Sequence, residues 1–214
     1  MRFLAINMNA PSTYDPHPKV FHLVFSAIYA SKNVLITDPN PYEGETDVKW
    51  VTREFVHVDR TACPWLIKRF VDPEAEFIFV PAEKINEVVK KEKAIPYDAP
   101  DVKLGHHGDK CSFDAIVEKY KIKDPAVLAL ADIVRAADMD KPEATPESAG
   151  LDAVMTGISI VAKNDHEAIE KASPVYDAFY VNCKLKLIRE RYEDEIEKMD
   201  RKKRREFLKR KLKE

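Results

Sequence analysis

The sequence predicts an α+β fold that is predominantly helical, and three observations carry that reading. Strand-like stretches are short and confined to the first half of the 214 residues. From about residue 113 onward apolar residues recur at three- and four-residue steps, the spacing of one face of a helix. The last 30 residues form a highly charged stretch with a narrow apolar stripe, which reads as a long C-terminal helix.

Taken in order, "RFLAIN" (2–7) alternates weakly as a short strand, a helix is expected at about 18–31, and "NVLIT" (33–37) reads as a strand. "DPNPYEGETD" (38–47) is the strongest linker signal in the chain and marks off an N-terminal appendage, residues 1–49. "REFVHV" (53–58) alternates as a strand. "PWLIKRF" (64–70) opens on proline, which is favoured at the first helical position, so a helix is expected from Pro64 with Cys63 at its N-terminal end. "EFIFV" (76–80) is a further strand and a helix covers 82–92. A helix over 113–120 carries Phe113, Ile116, Val117 and Tyr120 on one stripe, with Ser112 as its N-cap. Helices follow at 124–138, 147–162 and 165–183, completing a main domain of residues 50–183. From 184 to 214 Leu185, Ile188, Tyr192, Ile196 and Met199 make the apolar stripe of the charged helix, which either docks on the body or pairs with a second copy.

Composition narrows the function classes. The hydrophobic fraction is 45% and charged residues make up 34%, a profile of a globular chain rather than a membrane span. The opening "MRFLAINMNAPSTYDP" has too short an apolar core for a signal peptide, so a cytoplasmic location is expected. Three cysteines do not suggest a disulfide framework. Residues 198–214 hold ten Lys/Arg against three Asp/Glu, a net of +7, in a chain whose total is −2. That basic tail is a candidate contact for DNA phosphates. There is no glycine-rich phosphate loop, no Gly-x-Ser-x-Gly elbow and no His-Glu-x-x-His, so the common nucleotide-binding and hydrolase classes lose support.

Two segments could carry chemistry. In "HVDRTACPWLIKRF" (57–70), a cysteine before a helix N-terminus would have its thiolate stabilised, and Arg60 and Arg69 could neutralise an anion. In "LGHHGDKCSFD" (104–114), His106, His107 and Cys111 lie in a glycine-flanked loop at another helix start. Imidazole and thiolate both suit zinc or iron, but the spacing is not that of a zinc finger. A site would have to be assembled from distant segments, with His57, Asp59, Asp98, Asp114 or Asp138 as partners. Adjacent histidines in a loop diverge, so only one of the pair is expected to bind. Cys183 reads as core and His166 as part of a helix start; His17 and His22 lie in the appendage.

With those residues on the page, the chain resembles the C-terminal domain of the chromate resistance protein ChrB family. The resemblance rests on "VHVDRTACPWLIKRFVDPEAEFIFVP" (56–81), "GHHGDKCSFDAIVEKY" (105–120) and "LADIVRAADMDKPE" (130–143), and runs from about Trp50 to Cys183. Its motifs fall on Asp59, Arg60, Trp65, Arg69, His106, Cys111, Phe113, Asp114 and Asp138. The resemblance implies a link to chromate resistance. Family members are described as chromate-responsive regulators that use a separate N-terminal region for DNA.

The leading expectation is a protein that binds a transition metal ion, zinc or iron, or an oxyanion such as chromate. The metal candidates are His106, His57, Cys111, Asp98, Asp114 and Asp138; the anion candidates are Arg60 and Arg69; the redox thiols are Cys63 and Cys111. A metal-dependent hydrolytic or redox enzyme, and a regulator touching DNA through its tail, are the alternatives. A homodimer is also compatible with the sequence.

Overall fold

β1 (Lys49–Arg53) pairs in parallel with β2 (Glu76–Val80) along its whole length, Lys49 opposite Glu76 through Arg53 opposite Val80. On its other side it pairs in parallel with the short β3 (Ile95–Pro96), giving the order β2-β1-β3. A computed structural model describes residues 48–139, 141 and 143–214. The elements expected at 2–7, 18–31 and 33–37, the linker at 38–47, and His17 and His22 lie outside the described residues.

The central strand is covered on both faces, as a parallel strand flanked by crossover helices must be. Trp50 joins the main core beneath α1 (Val58–Phe70), while its neighbour Val51 points the other way, into a smaller cluster with Ile85 of α2 (Ile85–Glu92). A single helical turn, Ala82–Lys84, leads into α2.

The strand read at 53–58 is misplaced. Only Arg53 belongs to β1; the chain turns at Phe55, in the left-handed region at φ 61°, and is helical from Val58. The helix read from Pro64 therefore begins earlier, and Pro64 lies inside it. Its start is fixed from outside the segment. The Asp59 N–H donates to Asp138 Oδ1 at 3.3 Å and the Tyr176 hydroxyl donates to the Val58 carbonyl at 2.8 Å. Thr61 Oγ1 donates to the His57 carbonyl at 2.7 Å. These partners hold the first turn in place of a local cap.

α3 (Ser112–Lys119) and α4 (Pro125–Asp138) follow the expected stripes. Asp124 caps α4, its carboxylate accepting the Ala126 and Val127 N–H groups, with Pro125 at the first position. α4 buries Val127, Leu130, Ala131 and Val134 against α1, α5 (Ser148–Val161) and α6 (Asp165–Arg191). Asn164 caps α6, which runs past the expected end at 183. The charged C-terminal stretch is helical but not one rod: after α6 come α7 (Glu193–Glu197) and α8 (Arg201–Lys211). Ile196, Phe207 and Leu208 close a small cluster with Leu185, Ile188, Tyr192 and Met199, so the apolar stripe is covered by its own hairpin. Among the described residues no helix is long and apolar enough to cross a membrane.

Candidate metal centre

The connections set the place of the site. The chain leaves β1 through α1 to reach β2, then crosses back through α2 to β3, and the two helices cover opposite faces. At the carboxyl ends of β1 and β3 the chain therefore diverges, and that is where a parallel sheet opens a crevice. Asp98 follows β3 there; the 54–57 loop and the first turn of α1, with Asp59 and Arg60, follow β1.

Asp59 joins two helix starts. From the first turn of α1 its Oδ2 accepts the Ser112 N–H at 2.6 Å and its Oδ1 accepts the Phe113 N–H at 3.0 Å. It thereby caps α3 from 53 residues away. Ser112 is consequently not the N-cap but the first helical residue, and Cys111 takes the cap position, its N–H donated to Asp114 Oδ2 at 3.1 Å. The Ser112 hydroxyl turns instead to Asp98 Oδ1 at 3.2 Å.

Onto this junction comes His106. Its Nε2 lies 3.1 Å from Asp138 Oδ2, 3.4 Å from Asp59 Oδ2 and 3.4 Å from Asp98 Oδ1. The three carboxylates come from the start of α1, the segment after β3 and the last residue of α4. Asp59 and Asp98 are buried, whereas the His106 side chain is 43% exposed and forms the open side. The hydrogen bond to Asp59, reinforced by the charges of Asp138 and Asp98, lifts the imidazole pKa from 6.5 to about 9 against the opposing effect of burial. Burial, then the Asp59 charge, pushes the Asp138 carboxyl above the usual carboxylate range.

The charges balance in number but are unevenly shared. Asp98 Oδ2 receives Arg60 Nη1 at 3.0 Å and Arg53 Nη2 at 3.4 Å, so Asp98 is compensated. For Asp59 and Asp138 the cationic group at hand is the His106 imidazole. One imidazole nitrogen and two carboxylates, with ligand atoms all within 4.8 Å of one another, make a donor set that suits zinc, iron or manganese.

The other sequence candidates are placed elsewhere. His57 Nε2 is 3.1 Å from Thr156 Oγ1 and 3.5 Å from Asp152, on the side of α5. His107 turns to the Lys103 carbonyl at 3.0 Å, in a tight turn that uses Gly108 at φ 64°, so His106 alone of the pair faces the carboxylates. Asp114 is held by Arg135 Nη1 at 2.6 Å. Arg60 stands at the site, but its guanidinium is committed to Asp98 and to the Phe55 carbonyl. Arg69 sits at the far end of α1 on Asp177, 2.7 Å away, and forms no anion clamp with Arg60.

The two thiols sit in other surroundings than the helix-start reading expected. Cys63 lies within α1 rather than ahead of it, fully buried, with its Sγ 3.5 Å from Asp59 Oδ1. Burial and the neighbouring carboxylates push its pKa well up, the reverse of what activates a thiol. Cys111 is buried too, and burial with Asp59 and Asp114 likewise drives its pKa up. Cys183 is core, as expected. Two residues matter more than the sequence indicated. Asp59, read only as one distant partner among several, is the hub; an acidic residue in a first helical turn was its available signal. Arg53 carries no sequence signal at all.

A family model described as ChrB, C-terminal domain, matches residues 50–183. Protein ChrB of Cupriavidus metallidurans is 29% identical over 153 residues, which cover 70% of this chain and 44% of that protein. The chain thus spans less than half the length of this curated relative. No solved structure matches it.

Proposed function

The chain belongs to the ChrB family through its C-terminal domain, and from that premise we propose that it is a metal-binding protein of chromate resistance, its ion held by Asp59, His106 and Asp138. One observation carries the reading: three carboxylates from three segments meet a single imidazole nitrogen within 3.4 Å, two of them buried and, among the described residues, only one matched by arginines. Nitrogen and carboxylate donors without thiolate favour iron, manganese or zinc over soft ions.

The same geometry bears on chromate. A dianion approaching the bare cluster meets Asp59, Asp98 and Asp138, while Arg60 is already paired. Asp59, His106 and Asp138 would hold a cation that offsets this negative charge, with the half-exposed His106 side as the approach for an anion. In this reading the oxyanion is received through the ion rather than by Arg60 and Arg69, which gives the domain a sensing or sequestering role.

The test is elemental analysis of the purified full chain, then calorimetric titration of EDTA-treated protein with Mn²⁺, Fe²⁺ and Zn²⁺. Near-stoichiometric binding, lost in His106→Ala and Asp138→Asn, is expected. Ion at about 100 times its Kd should stabilise the fold by about 2.7 kcal/mol, read as a higher melting temperature. No ion at useful stoichiometry and no heat with any of the three metals would sink the proposal. Chromate binding is expected only in the loaded protein.

A second reading, a DNA-binding regulator, draws support from α8. Its two large apolar residues are docked on the hairpin, leaving Lys202, Lys203, Arg205, Lys209 and Arg210 exposed. Removal of residues 198–214 should then weaken operator binding and flatten its salt dependence; an unaltered gel shift rejects this reading.

A further inference from the structure

We propose that the outer face of α5 is a self-association surface, covered in solution by α5 of a second copy packed antiparallel. Five large apolar residues are exposed among the described residues: Phe55, Leu128, Val154, Ile160 and Val161. Three lie on α5, with Ile160 80% and Val161 69% exposed. Phe55, 80% exposed, is carried by a loop bonded to this helix and to the residue just past its end. The loop that carries it runs along the second half of the helix, with His57 on Thr156 and the Phe55 and Val56 N–H groups on Asp165 just past the helix end. Isolated apolar residues on a surface are ordinary, but a contiguous patch marks an interaction site.

The helix is built for this. It buries only Ser148, Leu151 and Met155 within its own chain. The residues on the opposite side, at 149, 150, 153, 154, 156, 157, 160 and 161, include no charge, in a chain that is 34% charged. Gly150 and Gly157 both lie there, and a Cβ at either would meet nothing within 4 Å. Glycine weakens a helix interior relative to alanine, and among the described residues no contact requires it at these positions. Phe55 likewise holds a left-handed backbone, unusual for a bulky side chain, and presents its ring to solvent.

Self-complementarity selects a second copy as the occupant. The outermost positions of the face differ in size: Ala149 and Gly150 at its start are small, Ile160 and Val161 at its end are large. A two-fold axis across the level of Met155 sets Gly150 opposite Ile160 of the other copy, and Ala149 opposite Val161, on both sides at once. The patch offers far fewer residues than the roughly 20 to 30 a side of a standard stable interface, so association should be reversible and micromolar or weaker.

Sedimentation velocity of the full chain from about 1 to 500 µM reads this directly. A concentration-dependent shift from monomer to dimer is expected. Gly157→Gln should fold with an equal or higher melting temperature, since the side chain enters open space, yet weaken association at least tenfold. Ile160→Glu, at a site already exposed, should do the same. Val154→Cys, close to the axis, should give a disulfide-linked dimer on mild oxidation, while the three buried native cysteines do not compete. A monomer at every concentration without that cross-link, or a dimer indifferent to both Gly157→Gln and Ile160→Glu, overturns the proposal.

Discussion

Two buried acidic centres flank the same helix, and their difference separates structure from function. At the C-terminal half of α1, Asp177 accepts Trp65 Nε1 and Arg69 Nη2, each at 2.7 Å. One carboxylate meets one guanidinium and one indole, and the account closes. At the N-terminal end, Asp59, Asp98 and Asp138 converge on His106, and among the described residues the arginines reach only Asp98. A closed pair fastens helices together. A centre in which two carboxylates share one half-exposed imidazole keeps donors that a cation could take up.

The largest effect is expected from Asp59→Ala, which leaves the Ser112 and Phe113 N–H groups unpaired at a buried helix start. A loss of about 3 kcal/mol in denaturant unfolding of the EDTA-treated protein is expected, together with loss of metal. Asp59→Asn, which keeps one acceptor, should lose the metal with a smaller loss of stability; metal retained in both variants would break the contrast. Next comes Asp177→Ala, expected to cost about 2 kcal/mol by orphaning Trp65 Nε1 and Arg69. Its metal content should match the parent chain, and a fall there would show that the two centres are not separate in role.

His106→Ala should reverse that pattern. Metal affinity drops at least tenfold, while stability without metal falls by less than in Asp59→Ala, because the ring is half exposed although it carries the positive charge that Asp59 and Asp138 share. Smallest of all is Cys63→Ser or Cys111→Ser under oxidant: neither should alter the sensitivity of the folded protein. In Ellman titration at pH 8 both thiols should stay silent until denaturant is added; rapid native-state labelling would restore the redox reading.

The helices from 113 onward were legible because their stripes are periodic and their caps local, as Asp124 and Asn164 show. The start of α1 was not, because what holds it arrives from Asp138 and Tyr176, 79 and 118 residues away. Without those partners, the alternation at 53–58 and the rule for Pro64 pointed to a strand and a later helix. The cap of α3 failed for the same reason: Asp59 took the N–H groups that Ser112 would have served. At the site, His106 and its aspartates were legible as residue types able to bind metal. Which of them meet depends on chain crossings at the sheet edge that no local spacing encodes. His57 and Arg69, near their motif in sequence, are for that reason far from it in role.

The span of the Asp59 hub has a consequence for the unfolded chain. His106 lies 47 residues beyond Asp59 and Asp138 a further 32, so a ligand that ties the three closes two long loops at a single point. The entropy lost in closing such loops rises only with the logarithm of their length. A long loop is therefore nearly as cheap to close as a short one, and one small ion could act as a removable cross-link between the sheet edge, the α3 loop and the end of α4. Occupancy would then register as a change in unfolding cooperativity, readable before any substrate is known.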